Sequence, residues 1–200
     1  MSTVVAVRSA DSIVIGAETL LMQGEARLGH AYGDNPKLFL VGHSCIGLTG
    51  SVAHYTALIQ ALRSLGDDCR LGSNEEVFNT FTRVHKRLKD DFFLNPKKQP
   101  DDPYEANHIS ALVANGSGIY GVYAHREVLN FGRFWANGTG RPYALGAMHA
   151  GWQMGGERPD ALAVARQGLA AAMEFDRGSG GEMRLYRFEV GSDAAPQAVD

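Results

Sequence analysis

At 200 residues, with 44% hydrophobic and 20% charged side chains, the chain can bury a sizeable core and reads as one globular domain. A formal net charge of −3 without a clustered basic patch argues against a nucleic-acid partner. No apolar run approaches the ~20 residues of a membrane span. No signal peptide opens the chain, and two cysteines do not make a disulfide framework, so the expected place is the cytoplasm with no membrane partner.

Residues 3–9 and 12–18 read as two strands turning at Ala10-Asp11, because Thr3-Val4-Val5-Ala6-Val7 and Ile13-Val14-Ile15 are β-branched and apolar. The segment 19–36 holds Gly24, Gly29, Gly33 and Pro36 and reads as a loop or as poor strands. Lys37–Val41 and Cys45–Leu48 form a second hairpin around Gly42-His43, with Cys45 as a small core residue. Ser51 is placed as the N-cap of a helix whose Tyr55, Leu58, Ile59, Leu62 and Leu65 recur at helical spacing. A second helix opens near Asn74, where Glu75 and Glu76 suit its positive end, and buries Val77, Phe78, Phe81, Val84, Leu88 and Phe92. Three prolines make 94–107 a long loop of the kind that is often functional, and its acidic run at Asp101-Asp102 and Glu105 reads as a solvated surface.

Strands return at 109–115, 118–124, 127–131 and 133–137, with Asn115-Gly116 marking the first turn. Helices follow at 142–153 and 159–174, Pro159 being placed in the first turn of the last. A strand at 183–190 closes a domain spanning residues 2–190, and the small, polar stretch 191–200 is expected to be disordered. Grouped strands and grouped helices indicate an α+β fold. Two packed antiparallel sheets with a helix pair on each outer face, a four-layer αββα sandwich, satisfy every amphipathic element.

The chemistry begins at the amino terminus. Removal of Met1 leaves Ser2 with a hydroxyl and a free α-amine at the head of a buried strand. An α-amine has a pKa near ~8, low enough to serve as base for its own hydroxyl. Glu18 closes the next strand with a carboxylate. The seven histidines show no metal-ligand spacing, and no metal or cofactor is assigned. No Gly-x-x-x-x-Gly-Lys-Ser/Thr loop is present, so no ATP site is assigned either.

Four segments in this order resemble the proteasome β-type family: Ser2–Val7, Ile15-Gly16-Ala17-Glu18, Asn137–Tyr143 around Gly138-Thr139-Gly140, and Asp176-Arg177-Gly178-Ser179-Gly180. The likeness covers about residues 2–190, is strongest to bacterial HslV-like peptidases, and points to the betaproteobacterial proteasome homologue branch. It implies an N-terminal nucleophile hydrolase fold. It further implies that Ser2 attacks, that Lys37 is the catalytic lysine oriented by Glu18, and that Thr139, Asp176 and Ser179 hold the α-amine. The Gly50 backbone N–H is implied as the oxyanion donor, and Leu21 and Leu48 as substrate-pocket residues. On residue type alone, Lys37 also reads as a strand-edge lysine, Asp176 as a turn cap, and Thr139 and Gly140 as plain loop. Three departures stand out: Ser2 replaces the family's usual threonine, Arg177 replaces a small residue, and the 94–107 insertion is longer than in HslV, at a place where the resemblance implies a loop that selects or admits substrate.

The resemblance also implies a homo-oligomeric double ring of twelve or fourteen subunits, fourteen being favoured, with contacts made by the helix pair near 51–92. Such a ring would enclose a chamber that degrades peptides or unfolded protein, fed by a separate ATPase unfoldase if one exists. Two other readings remain open. One is a non-catalytic ring or peptide-binding scaffold; the other is a small-amide amidohydrolase of the same fold that needs no ring.

Overall fold

The computed structural model describes residues 2–33, 35–95, 109–123 and 127–199. The Pro-rich part of the 94–107 loop, with its acidic run, and Met1 lie outside these residues.

Antiparallel pairing builds two five-stranded sheets. The first comprises β1 (Thr3–Arg8), β2 (Ser12–Glu18), β10 (Phe134–Gly138), β11 (Met183–Glu189) and β12 (Gln197–Val199), in the order β10-β1-β2-β11-β12. The second comprises β5 (Leu38–Val41), β6 (Ser44–Thr49), β7 (Ser110–Asn115), β8 (Gly118–Tyr123) and β9 (Glu127–Asn130), in chain order. Strand alternation divides the side chains between two faces. Val5, Val7 and Val14 turn to α3 (Arg141–Met154) and α4 (Ala161–Phe175), packing on Met148 and Leu169. Ile46, Leu48 and Val113 turn the other way, to Leu58 and Leu62 of α1 (Val52–Arg63) and Phe81 of α2 (Asn74–Asp90). Val4, Ala6, Ile13, Ile15, Cys45 and Leu112 fill the space between the sheets. The layers are therefore helix, sheet, sheet, helix, as the element order predicts. No helix among the described residues is long and apolar enough to cross a membrane.

Strands buried on both faces explain why β1, β2 and β6 read as near-continuous apolar runs. Gly47 marks the tightest approach of the sheets: a Cβ there would collide with Val4 Cγ1 and stand 3.3 Å from Ile15 Cδ1.

Four expectations change, the first being Phe78, which is exposed and not part of the buried face of α2. Of the two readings of 19–36 the strands hold: β3 (Leu21–Gln23) pairs with β4 (Ala26–Leu28), a short hairpin followed by a 3-10 turn at His30–Tyr32. The chain end is not wholly without structure, because Gln197–Val199 adds an edge strand to Leu185–Arg187 of β11. Pro159 precedes the last helix, and Asp160 is the N-cap, accepting from the Leu162 N–H at 2.9 Å. Ser51 holds the N-cap position of α1, but its side chain makes no capping hydrogen bond. Ser73 does cap α2, accepting from the Glu76 N–H at 3.2 Å.

Replacing Gly47 by alanine should overpack the sheet interface and cost about 1–3 kcal/mol. Gly29→Ala, where an added Cβ meets nothing within 4 Å, should stay within about 0.5 kcal/mol. Thermal midpoints of the two variants measured side by side check the contrast.

Candidate active site

Three strand ends and one turn converge where the two sheets open: the start of β1, the end of β2, the residue before β5, and the turn after α4. β1 and β10 pair with Thr3 opposite Gly138. The pairing runs one residue further, since the Thr139 N–H donates to the Ser2 carbonyl at 2.9 Å. Gly138 makes room for this at φ +101°, and a Cβ there would collide with the Ser2 carbonyl oxygen. Ser2 is thereby held by a sheet, only 1% exposed.

A hydroxyl relay starts at the Ser2 nitrogen, the atom that becomes the α-amine once Met1 is removed. It donates to Thr139 Oγ1 at 3.3 Å. Thr139 Oγ1 in turn donates to Asp176 Oδ2 at 2.7 Å, and Ser179 Oγ donates to the same oxygen at 2.7 Å. A hydroxyl has one proton. Since Ser179 gives its own to Asp176, the 2.7 Å contact between Thr3 Oγ1 and Ser179 Oγ has Thr3 as donor. Asp176 is also the C-cap of α4, and its carbonyl accepts from the Ser179 N–H at 3.0 Å. It caps a turn and anchors the relay at once.

Beneath the relay lies a buried ion pair. The Lys37 ammonium donates to Glu18 Oε1 and to the Leu20 carbonyl, the latter at 2.9 Å. Glu18 Oε1 also accepts from the Thr3 N–H at 3.0 Å, and Oε2 accepts from Leu20 N–H at 2.8 Å and Gly180 N–H at 3.2 Å. Both side chains are fully excluded from solvent. Burial pushes the Lys37 ammonium below the ordinary lysine value, while the carboxylates of Glu18 and Asp176 pull it back up. Lys37 is therefore no strand-edge lysine.

Ser2 opens onto a cavity of about 320 Å³. Leu20, Leu21, Met22, Gly50, Val52 and Tyr55 line it together with Ser2. Gly50 turns the chain into α1 at φ +113°. Ser51 also faces this cavity, which accounts for its hydroxyl not capping the helix. Leu21 thus lies where the pocket reading puts it. Leu48 does not: it is 1% exposed and packed with Tyr55 and Leu58 in the core under α1. The adjoining Gly47, not Leu48, has the face turned to the other sheet, so alternation sends Leu48 to the helices.

Sequence reasoning missed two side chains. Thr3 is wholly buried and bonded to the relay; its β-branched hydroxyl at a buried strand position was the available signal. Tyr55 was read as helix core, although a buried phenol needs a polar partner. Its partner is the Leu48 carbonyl, to which it donates at 3.2 Å. Arg177 reaches out of the turn that carries Asp176 and Ser179 to form an exposed ion pair with Glu25 at the tip of the β3–β4 hairpin. Among the described residues, no three His, Cys, Asp or Glu side chains gather as metal ligands.

The sequence matches the proteasome subunit family over residues 1–188. It is 25% identical to proteasome subunit beta type-2 of Saccharomyces cerevisiae over 203 aligned residues, covering 96% of this chain and 70% of the yeast subunit. Its fold superposes on Thiobacillus denitrificans BPH with a TM-score of 0.84 at 35% identity, over 94% of this chain and 98% of that one. The same protein in complex with epoxomicin gives 0.85, also at 35%, over 95% and 100%. HslV from Trypanosoma brucei, at 19% identity, shares the fold with a TM-score of 0.69 over 94% and 99%.

Removing one partner of the buried pair should be costly. Glu18→Ala, which strands the Lys37 charge, is expected to cost about 3–5 kcal/mol, and Glu18→Gln combined with Lys37→Met distinctly less. Denaturant titration of the purified variants gives the comparison.

Proposed function

The chain belongs to the proteasome subunit family, and from that premise we propose that it is a peptidase whose nucleophile is the hydroxyl of Ser2, exposed with its α-amine by removal of Met1. The observation that carries this reading is the placement of one residue: Ser2 has its nitrogen in the Thr139–Asp176 relay while the residue lines the cavity wall. The complex of the 35%-identical Thiobacillus protein with epoxomicin supports it.

The chemistry follows from the donors and acceptors. Ser2 Oγ attacks the scissile carbonyl, and its proton passes to the α-amine, directly or through one water. Thr139 Oγ1 is committed as donor to Asp176, so toward the amine it acts as acceptor and orients the amine hydrogens away from the reacting pair. Lys37 spends two of its three N–H donors on Glu18 and the Leu20 carbonyl. The third is left for Ser2, where the positive charge favours the attacking alkoxide. The Gly50 N–H receives the oxyanion; one such donor is worth about 3 kcal/mol in the transition state. The α-amine returns its proton to the leaving amine, then activates the water that hydrolyses the Ser2 ester. Leu20, Leu21 and Met22 favour an apolar side chain before the cut.

Unselective hydrolysis of this kind is safe only behind a barrier. The family relationship supports assembly into closed, stacked rings with the sites facing inward, in the cytoplasm. Unfolded protein or peptides are the substrates, and any unfolding by ATP comes from another chain.

Ser2→Ala should abolish peptide turnover while leaving the native mass of the assembly unchanged. Full turnover by that variant would end the proposal. Turnover against pH carries a second expectation. Activity rises as the α-amine loses its proton, near pH ~8. It falls as Lys37 loses its own, and because burial lowers the Lys37 value, that decline sets in below the ordinary lysine range. An alkaline limb in kcat/KM at or above that range would contradict the role given to Lys37.

A further inference from the structure

The cavity beside Ser2 has apolar sides, Leu20, Leu21 and Met22, and one buried carboxamide, Asn35. Asn35 stands two residues before Lys37 and is 6% exposed. Its side chain has a defined orientation. A carbonyl oxygen only accepts, so the end that meets the Leu20 carbonyl, at a long 3.4 Å, is the nitrogen Nδ2. The same carbonyl takes the Lys37 ammonium at 2.9 Å, which pins it in turn. Oδ1 is therefore turned away from Leu20, and no donor among the described residues meets it. Nor is it sealed in the interior as a buried orphan. The space it reaches is the cavity that Asn35 lines. Gln23, the other carboxamide of the lining, is exposed and fixes no direction.

Among the described residues of the lining, no side chain carries a formal charge. Lys37 and Glu18 neutralise each other beneath the site. A charged side chain entering the cavity would lose its water without gaining a counter-charge. A wholly apolar one would cover Oδ1 and leave it without a donor. Sites built with such a polar group reject analogues that cannot pair with it. We propose that Asn35 selects substrates in which the residue before the cut has an apolar stem and an uncharged donor at its end, glutamine above all. The stem lies along Leu20, Leu21 and Met22, and the terminal amide donates to Asn35 Oδ1. This rests on Ser2 being the nucleophile.

Fluorogenic peptides that differ only in that residue test the assignment on the purified assembly. Glutamine, methionine, glutamate and lysine all have unbranched stems. Methionine lacks the donor, and glutamate and lysine add a charge. The kcat/KM for glutamine should exceed that for methionine by about threefold to tenfold, the effect of one neutral hydrogen bond, with glutamate and lysine below both. Asn35→Leu should reverse the order of glutamine and methionine. Both peptides meet the same Ser2 and Lys37 in a given protein, so any general loss of activity cancels in their ratio. The ratio in the parent protein stands by itself if the variant does not assemble. Methionine equal to or ahead of glutamine in the parent would overturn the role of Asn35 while leaving the Ser2 nucleophile standing. So would a charged residue ahead of both, or an unchanged ratio in Asn35→Leu. A parent that cleaves none of the four peptides would overturn both.

Discussion

One carboxylate ties the whole arrangement together. Glu18 ends β2 in the first sheet, accepts the Thr3 amide at the head of β1, accepts Gly180 from the turn after α4, and pairs with Lys37 at the mouth of the second sheet. An ionised carboxylate buried so completely is tolerable only if its acceptor positions are filled. Here four donors fill them: three backbone amides and one ammonium. All but the Leu20 amide come from other segments of the chain, so meeting the needs of one charge fixes the head of β1, Lys37 and the relay turn in one geometry.

The division of labour between sheets follows. The first sheet supplies Ser2 and the relay at its nitrogen through β1, β10 and the turn after α4. The second supplies the cation before β5 and, through the β6–α1 junction, Gly50 and Tyr55. Neither sheet contains a site alone. The β3–β4 hairpin closes one side of the cavity and is fastened to the relay turn by Glu25 and Arg177. Arg177 thus links, through an exposed ion pair, the hairpin beside the cavity and the turn that carries Asp176 and Ser179.

Much of this was legible in the residues. β1 and β2 declared themselves by β-branched, apolar runs, and α2 by its apolar spacing and its acidic start. Ser2 and Glu18 follow from strand ends, whereas Lys37, Thr139, Asp176 and Ser179 needed the family resemblance, because no local pattern separates them from a loop. The failures are equally physical. β3, β4 and β12 are three residues each, too short for alternation to register, and they form because a partner strand is at hand. Leu48 failed on parity: one step along β6 exchanges the inter-sheet space for the helix layer. Tyr55 lay hidden in a helical stripe of Leu and Ile, where periodicity records its burial and is blind to its hydroxyl.

The proposed chemistry takes its hydroxyl and its amine from one residue, Ser2, whose nitrogen sits in the Thr139–Asp176 relay. The most direct measurement is the intact mass of the purified assembly before and after exposure to a peptide epoxyketone, which needs both groups on one residue to close its ring adduct. The expected result is a subunit lacking Met1 that gains one adduct. A subunit that retains Met1 and gains none would contradict the shared-residue mechanism.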